Sequence, residues 1–271
     1  MITIFSKFMI DVNDDMPTFI NNYYDYGLKN DVYQHIGRIK KKLESCINYD
    51  KHYIDGDRLE KELFKEINAD VFISHSHADE KLAIAISGWL KKEMELTAFV
   101  DSCVWDYVDE TLCELNNRYN VIRTETNGSK VYNHNKANYF ASHLYLMLNA
   151  ALNNMLDKTE CLLFINTKNS VIPLDKTNVS GQTFSPWIYS EIVMANTMQQ
   201  IEPQRYNVLK HSYKYAAEMN EQISITHKLN LSEFKSIDFD ILYKWQKSKT
   251  QTEHAMDTLY KILAKGDILN G

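Results

Sequence analysis

The spacing of apolar residues along the chain changes character near residue 70. Before that point, apolar side chains recur every three or four positions among lysines and glutamates, most clearly over 31–47 and 57–67. This spacing is typical of amphipathic helices. After residue 70, short apolar runs alternate with longer amphipathic stretches. We therefore predict an N-terminal helical extension over residues 1–66 and an α/β domain over residues 67–271.

Three short apolar runs predict the strands of a central parallel sheet. They occupy residues 71–73, 97–100 and 161–165, and the last run is apolar on both faces and too short for a helix. Their alternation with helical stretches indicates an α/β fold with helices flanking the sheet. The other predicted elements are helices at 82–90, 139–156, 186–198, 239–245 and 256–263, and weaker strands at 206–209 and 223–225. Residues 107–136 are predicted to form a long loop, with a short helix within it as an alternative.

The predicted sheet indicates where a functional site lies. In open α/β sheets, ligands bind beyond the carboxyl ends of the strands. In this chain those ends are residues 74–77, residues 101–105 and the segment after residue 165. Candidate functional residues are therefore expected in these three places.

Composition and charge exclude several classes of protein. With 8 glycines and 4 prolines in 271 residues, the chain is neither collagen-like nor of low complexity, and 44% hydrophobic residues can form a substantial core. The formal net charge of −6 argues against a general nucleic-acid binder, which needs a basic surface to contact phosphates. No nucleic-acid partner is expected.

The cysteines and the N-terminal segment indicate a cytoplasmic protein. The four cysteines are scattered without metal-ligand spacing, which is typical of free thiols in a reducing compartment. The N-terminus lacks the basic start and apolar run of a secretory signal, and no segment reaches about 18 uninterrupted apolar residues. We therefore expect a soluble, cytoplasmic protein without a membrane partner.

Glycine-rich phosphate-binding motifs are missing from the sequence. No Gly-x-Gly-x-x-Gly follows a predicted strand, and no Gly-x-x-x-x-Gly-Lys is present. A Rossmann dehydrogenase and a P-loop NTPase are therefore excluded.

A histidine-rich run, residues 74–80, follows the first predicted strand of the sheet. His75, His77 and Asp79 resemble part of the zinc-binding motif of metallo-β-lactamase-fold hydrolases, so metal-dependent hydrolysis is one hypothesis. The position where that motif has its closing histidine is Glu80, and the upstream strands of that fold are not predicted here. In the alternative interpretation, Asp79 caps the following helix and the histidines line the loop.

A second group of residues lies in the helix predicted over 186–198. Trp187 and Glu191 are four residues apart and therefore share one face of that helix. Glu191 is expected at the edge of the apolar stripe through Ile188 and Ile192, where a carboxylate can project into a cleft between helix and sheet. Most glutamates in such a pattern are solvated surface residues.

The order of these motifs resembles the bacterial Toll/interleukin-1 receptor (TIR) domain family, including the TIR proteins of anti-phage, Thoeris-type defence. Residues 71–75 resemble the family's first strand, residues 99–101 its second strand, and residues 187–191 the helix with the catalytic glutamate. The match covers residues 68–200. The resemblance implies a flavodoxin-like fold in which residues 102–110 form the so-called BB loop.

The resemblance also implies that the chain is an enzyme that cleaves NAD at the nicotinamide–ribose bond. In some bacterial members this reaction yields a cyclic or variant ADP-ribose signal. Glu191 would be the catalytic carboxylate, stabilising the oxocarbenium ion that forms on the ribose. NAD would be the substrate, with no metal or other cofactor required. The residues expected to bind NAD are Ser74, His75, Ser76, Asp101, Trp105 and Trp187.

Physical reasons support three of these expectations, and the two tryptophans also have an alternative. Trp105 and Trp187 can stack on nicotinamide or adenine, or can pack against the core instead. The loop over residues 74–79 precedes a helix, whose free backbone N–H groups can bind a pyrophosphate.

The expected partners follow from the same resemblance. TIR–TIR self-association is expected, as is a downstream effector that senses the nucleotide product. Because a fold does not determine a function, a non-catalytic TIR adaptor that acts through assembly is the alternative hypothesis.

Overall fold

The structure is a computed structural model of the 271-residue chain. It describes residues 5–12, 16–29, 43, 45–48, 53–64, 68–173, 180–198, 227–251 and 253–269. The strands predicted at 206–209 and 223–225 lie outside these residues, as does most of the helix predicted at 31–47.

Strands and helices alternate through much of the described chain. The strands are β1 Ser6–Asp11, β2 Ile47–Asn48, β3 Tyr53–Ile54, β4 Val71–Ser74, β5 Ala98–Val100, β6 Val121–Thr124, β7 Lys130–Tyr132, β8 Cys161–Asn166, β9 Ile172–Pro173, β10 Ser180–Thr183, β11 His227–Asn230 and β12 Lys235–Ile237. The α-helices are α1 Met16–Leu28, α2 Gly56–Leu63, α3 Glu80–Trp89, α4 Ser102–Tyr119, α5 His134–Lys158, α6 Pro186–Thr197, α7 Phe239–Ser248 and α8 Ala255–Leu269. None of the described helices combines the length and apolar character needed to cross a membrane.

The chain divides by its internal contacts into two compact units, each assembled from separate segments. The first unit contains Met1–Asn30, Asn68–Val100 and Leu156–Gly271. The second contains Asp31–Ile67 and Asp101–Met155.

A five-stranded parallel sheet in the order β12-β1-β8-β4-β5 forms the centre of the first unit. The middle strand β8 pairs with β1 on one side and β4 on the other, and its residues from Cys161 to Ile165 are buried. This confirms the predicted α/β fold with a central parallel sheet flanked by helices. The predicted strands at 71–73, 97–100 and 161–165 are confirmed within one residue at either end.

The N-terminal strand β1 corrects the prediction of a wholly helical extension over residues 1–66. Phe8, Met9 and Ile10 are consecutive and buried, so both faces of this segment are covered, as in an interior strand of a parallel sheet. In the flavodoxin-like strand order 2-1-3-4-5, the third strand lies between the first strand and a fourth strand that comes later in the chain. With β4 and β5 as the first two strands, β8 is the third. Here β1 takes that place beside β8.

The prediction of a long loop at 107–136 is also wrong. Residues Ser102–Tyr119 form helix α4, and β6 and β7 form an antiparallel hairpin after it. Buried Val108 and Leu115 are seven residues apart on α4. Buried Thr111 lies between them, and a polar residue within the buried face weakens the periodic apolar signal. The segment proposed as a BB loop, 102–110, is therefore helical.

Helices α1 and α3, both in the first unit, approach each other at two glycines. A Cβ atom added to Gly27 would lie 2.0 Å from the carbonyl oxygen of Ile84. One added to Gly88 would lie 2.3 Å from the carbonyl oxygen of Tyr23. These distances leave no space for a side chain, so glycine allows the two backbones to come close.

We expect Gly88→Ala to lower the free energy of unfolding by about 1–3 kcal/mol, because the added methyl group pushes the two helices apart. Urea denaturation followed by circular dichroism measures the change. The control is Gly56→Ala, whose added Cβ would meet the flexible end of Met147 at 3.2 Å and should alter stability much less. Unchanged stability of Gly88→Ala would contradict this packing.

Candidate functional site

A buried hydrogen bond joins strand β4 to helix α6. The Ser74 hydroxyl, at the carboxyl end of β4, donates to Oε2 of Glu191 at 2.6 Å. Both residues are 0% exposed. Glu191 thus belongs to the buried face of α6, with Ile188 and Ile192, rather than to the edge of that face.

The local sequence explains why α6 begins where it does. The Ser185 hydroxyl accepts a hydrogen bond from the backbone N–H of Ile188 at 3.2 Å, and Pro186 occupies the first turn. Serine at the N-cap and proline at the first helical position both favour a helix start. This start sets the rotation of the helix, which in turn directs Glu191 toward β4.

His75 follows Ser74 and is also 0% exposed. Burial lowers the pKa of its imidazole to about 4, although the nearby carboxyls of Glu191, Glu80 and Asp79 act in the opposite direction. The imidazole is therefore neutral near pH 7. A neutral ring beside a buried carboxyl adds no positive charge to the site.

Asp79 connects the loop after β4 to the loop after β8. Its Oδ2 accepts from the hydroxyls of Ser76 at 2.7 Å and Thr167 at 2.5 Å, and its Oδ1 accepts from the side-chain amide of Asn169 at 2.8 Å. Asp79 occupies the N-cap position of α3, but its side chain makes no capping bond. The expected helix-capping role is thus replaced by a bridge between two loops.

These two loops meet at the point where the chain reverses its direction across the sheet. From β4 the chain proceeds to the edge strand β5, whereas from β8 it reaches β12 at the opposite edge. Ligands of open α/β sheets bind at such switch points, beyond the carboxyl ends of the strands. Ser74, Glu191 and the Asp79 bridge occupy this region of the first unit.

The other predicted NAD-binding residues lie in separate elements of the structure. Trp187 lies in the first turn of α6 and is partly exposed. Asp101 is buried directly after β5, and Trp105 lies within α4 rather than in a loop; both belong to the second unit. Among the predicted residues, the structure brings Ser74, His75 and Glu191 together, whereas Ser76 donates to Asp79 in the loop after β4.

The zinc hypothesis gains no support from the geometry. His75 is 0% exposed whereas His77 is exposed, so the two imidazoles have different environments. Within the described ranges, no group of three or more histidine, cysteine, aspartate or glutamate residues could hold a metal ion.

Sequence reasoning indicated the segment after residue 165 but named none of the polar residues in the loop that follows β8. Thr167, Asn169 and Ser170 all form hydrogen bonds to Asp79. A signal was present, because these residues directly follow the most apolar strand and therefore lie at the carboxyl edge of the sheet. Their partner could not be identified from the sequence, because Asp79 lies 88 positions before Thr167.

Comparisons of this chain with protein-family models, with curated proteins and with solved structures gave no match. The likeness to the TIR family therefore remains a resemblance of ordered motifs.

The buried imidazole makes stability depend on pH. The pKa of His75 is about 4 in the folded chain and about 6.5 when unfolded, so between these values the unfolded chain binds more protons. We therefore expect the free energy of unfolding to decrease by roughly 3 kcal/mol, through His75 alone, as the pH falls from 6.5 to 4. Urea denaturation across this range measures it.

Two variants test the assignment to this histidine. His75→Gln should remove most of that pH dependence, whereas His77→Gln, two residues away and exposed, should retain it. An identical pH dependence in wild type and His75→Gln would contradict the prediction.

The Ser74–Glu191 hydrogen bond should appear as a coupling energy. We expect a double-mutant cycle of Ser74→Ala and Glu191→Leu to give about 1–3 kcal/mol, because each single change removes one partner of this hydrogen bond and leaves the other partner buried with one fewer hydrogen bond. Chemical denaturation of the four proteins measures it. Additive effects of the two changes would show that the contact contributes nothing to stability.

Proposed function

We propose that this chain is a TIR-type enzyme that cleaves NAD at the nicotinamide–ribose bond, with Glu191 as the catalytic residue. The observation that supports this proposal most strongly is the position of Glu191, 2.6 Å from Ser74 at the carboxyl end of β4 and shielded from water. The ordered motifs that resemble the TIR family lead to the same residue.

Cleavage of the nicotinamide–ribose bond requires a carboxylate in an environment shielded from water. The glycosidic C–N bond breaks, its electron pair leaves with neutral nicotinamide, and positive charge develops on the ribose. A carboxylate held beside that carbon stabilises the charge, and low local polarity strengthens the interaction. Water then captures the oxocarbenium ion and releases a proton, giving ADP-ribose. Alternatively, a nucleophile of the same nucleotide captures the ion, giving a cyclic product.

Substrate access requires movement in this proposal. Ser74 and Glu191 are 0% exposed, so a ribose reaches them after the loop over 74–79 separates from the loop over 166–171. The Asp79 hydrogen bonds to Thr167 and Asn169 resist that separation. Self-association is a suitable trigger, because contacts between copies can favour an open loop arrangement.

The complete burial of Glu191 also favours a second candidate function. A buried carboxyl that joins a helix to a strand can serve the fold alone, and the chain would then be a non-catalytic assembly module. In either case we propose that the chain acts in the cytoplasm. As an enzyme it would pass a nucleotide product to a downstream effector.

We expect Glu191→Gln to lower nicotinamide release from NAD by about 10²–10³-fold, since removal of one electrostatic group at a transition state has this effect. The assay incubates purified chain with NAD, alone and with phage-infected lysate, and measures nicotinamide and the nucleotide product by mass spectrometry. The change is nearly isosteric, so circular dichroism should remain that of the wild type.

The control is Glu125→Gln, which alters an exposed carboxylate in the β6–β7 hairpin and should leave turnover unchanged. Release of nicotinamide by wild type and Glu191→Gln at equal rates would refute catalysis by Glu191. Self-association that survives Glu191→Gln, without NAD turnover in any state of the wild type, would instead establish the assembly module.

A further inference from the structure

The second unit contains a pocket of about 940 Å³ that the proposed function does not use. Its described lining comes from the β2–β3 hairpin, the start of α2, the end of α4 and the first turns of α5. All of these elements belong to the second unit. A volume near 1,000 Å³ is in the range of pockets that hold small molecules.

Aromatic rings form a continuous side of this pocket. Tyr119 and Phe140 have ring centroids 6.2 Å apart, Phe140 and Tyr139 are 5.9 Å apart, and Tyr139 and His143 are 4.4 Å apart. Tyr139 is 61% exposed, so its ring remains available at the entrance. Adjacent rings of this kind favour a flat, aromatic ligand, because stacking adds to the gain from apolar burial.

The charges around the pocket favour an anionic ligand. Lys136 lines it from the first turn of α5, and its ammonium forms no ion pair within the part of the chain that the structure describes. The described lining contains no aspartate or glutamate. The N-terminus of the 25-residue helix α5 adds a favourable potential for a negative group at the same place.

One buried acceptor in the lining lacks a hydrogen bond. Asn120 is 2% exposed, and its side-chain N–H donates to Oδ1 of Asn116 at 2.6 Å. Its backbone carbonyl accepts from the backbone N–H of Asn133 at 2.8 Å. The Oδ1 atom of Asn120 has no partner among the described residues. A buried acceptor of this kind is costly, and an N–H donor on a ligand would satisfy it.

We propose that this pocket binds a small planar aromatic molecule that has an anionic group and an N–H donor. The rings of Tyr119, Tyr139 and Phe140 contact its flat faces, Lys136 contacts its anionic group, and Asn120 accepts from its N–H. This inference does not depend on NAD cleavage, because the pocket and Glu191 lie in different units.

The experiment uses the full chain and two fluorescent probes that differ in charge. The compound 1-anilinonaphthalene-8-sulfonate has two aromatic ring systems, one N–H and one sulfonate, whereas N-phenyl-1-naphthylamine lacks the sulfonate. Fluorescence titration gives a Kd for each probe. We expect saturable binding at one site, with a lower Kd for the sulfonated probe than for the neutral probe. The Kd of the sulfonated probe should increase as salt is raised, because salt screens its charge.

Two exposed positions provide variants that should leave the fold intact. Lys136→Gln should raise the Kd of the sulfonated probe about 2- to 5-fold and leave that of the neutral probe unchanged, as expected for one exposed charge pair. Tyr139→Ala should raise the Kd of both probes about 3-fold, because stacking on the tyrosine ring is lost. The matched control is Lys81→Gln, an exposed lysine in the first turn of α3 in the first unit, which should bind both probes like wild type.

Binding is located by nuclear magnetic resonance of the ¹⁵N-labelled chain, in which the side-chain amide of Asn120 should shift on addition of the sulfonated probe. Non-saturable binding, wild-type affinity in either pocket variant, or an unmoved Asn120 amide would overturn the proposal. Loss of NAD cleavage in Glu191→Gln would not affect it, so the two proposals can fail separately.

Discussion

The candidate site depends on the burial of one carboxyl group against one hydroxyl. Glu191 is 0% exposed and has lost its contacts with bulk water, and the Ser74 hydroxyl at 2.6 Å offsets part of that loss. The bond requires the end of β4 and the buried face of α6 to meet in a definite register. Whatever Glu191 does chemically, this requirement couples the start of α6 to the carboxyl edge of the sheet.

The surroundings of this pair maintain its separation from water. His75 remains neutral because burial lowers its pKa to about 4, and Asp79 joins the loops that follow β4 and β8. A buried carboxylate stabilises a developing positive charge more strongly than an exposed one, because electrostatic interactions strengthen as water is excluded. The same enclosure limits entry of a ligand, so the proposed NAD cleavage needs an opened loop arrangement.

The second unit presents a different environment. Its pocket is bordered by partly exposed aromatic rings and by Lys136, and no carboxylate occurs in the described lining. An electrically neutral or positive, aromatic surface suits flat anionic molecules, whereas the Glu191 site suits a developing cation. Under the two proposals, the two units of one chain favour opposite charges in the groups that they bind.

The sequence by itself determined the interior strands at 71–73 and 161–165, each to within one residue, and the start of α6, because continuous apolar runs and a Ser-Pro helix start are local signals. It also indicated Glu191 as a candidate. Only the tertiary structure decided that Ser6–Asp11 pairs with β8, that Ser74 is the partner of Glu191, and that Asp79 joins two loops. These contacts join residues far apart in the chain, and periodicity reports local conformation but not which distant surfaces meet.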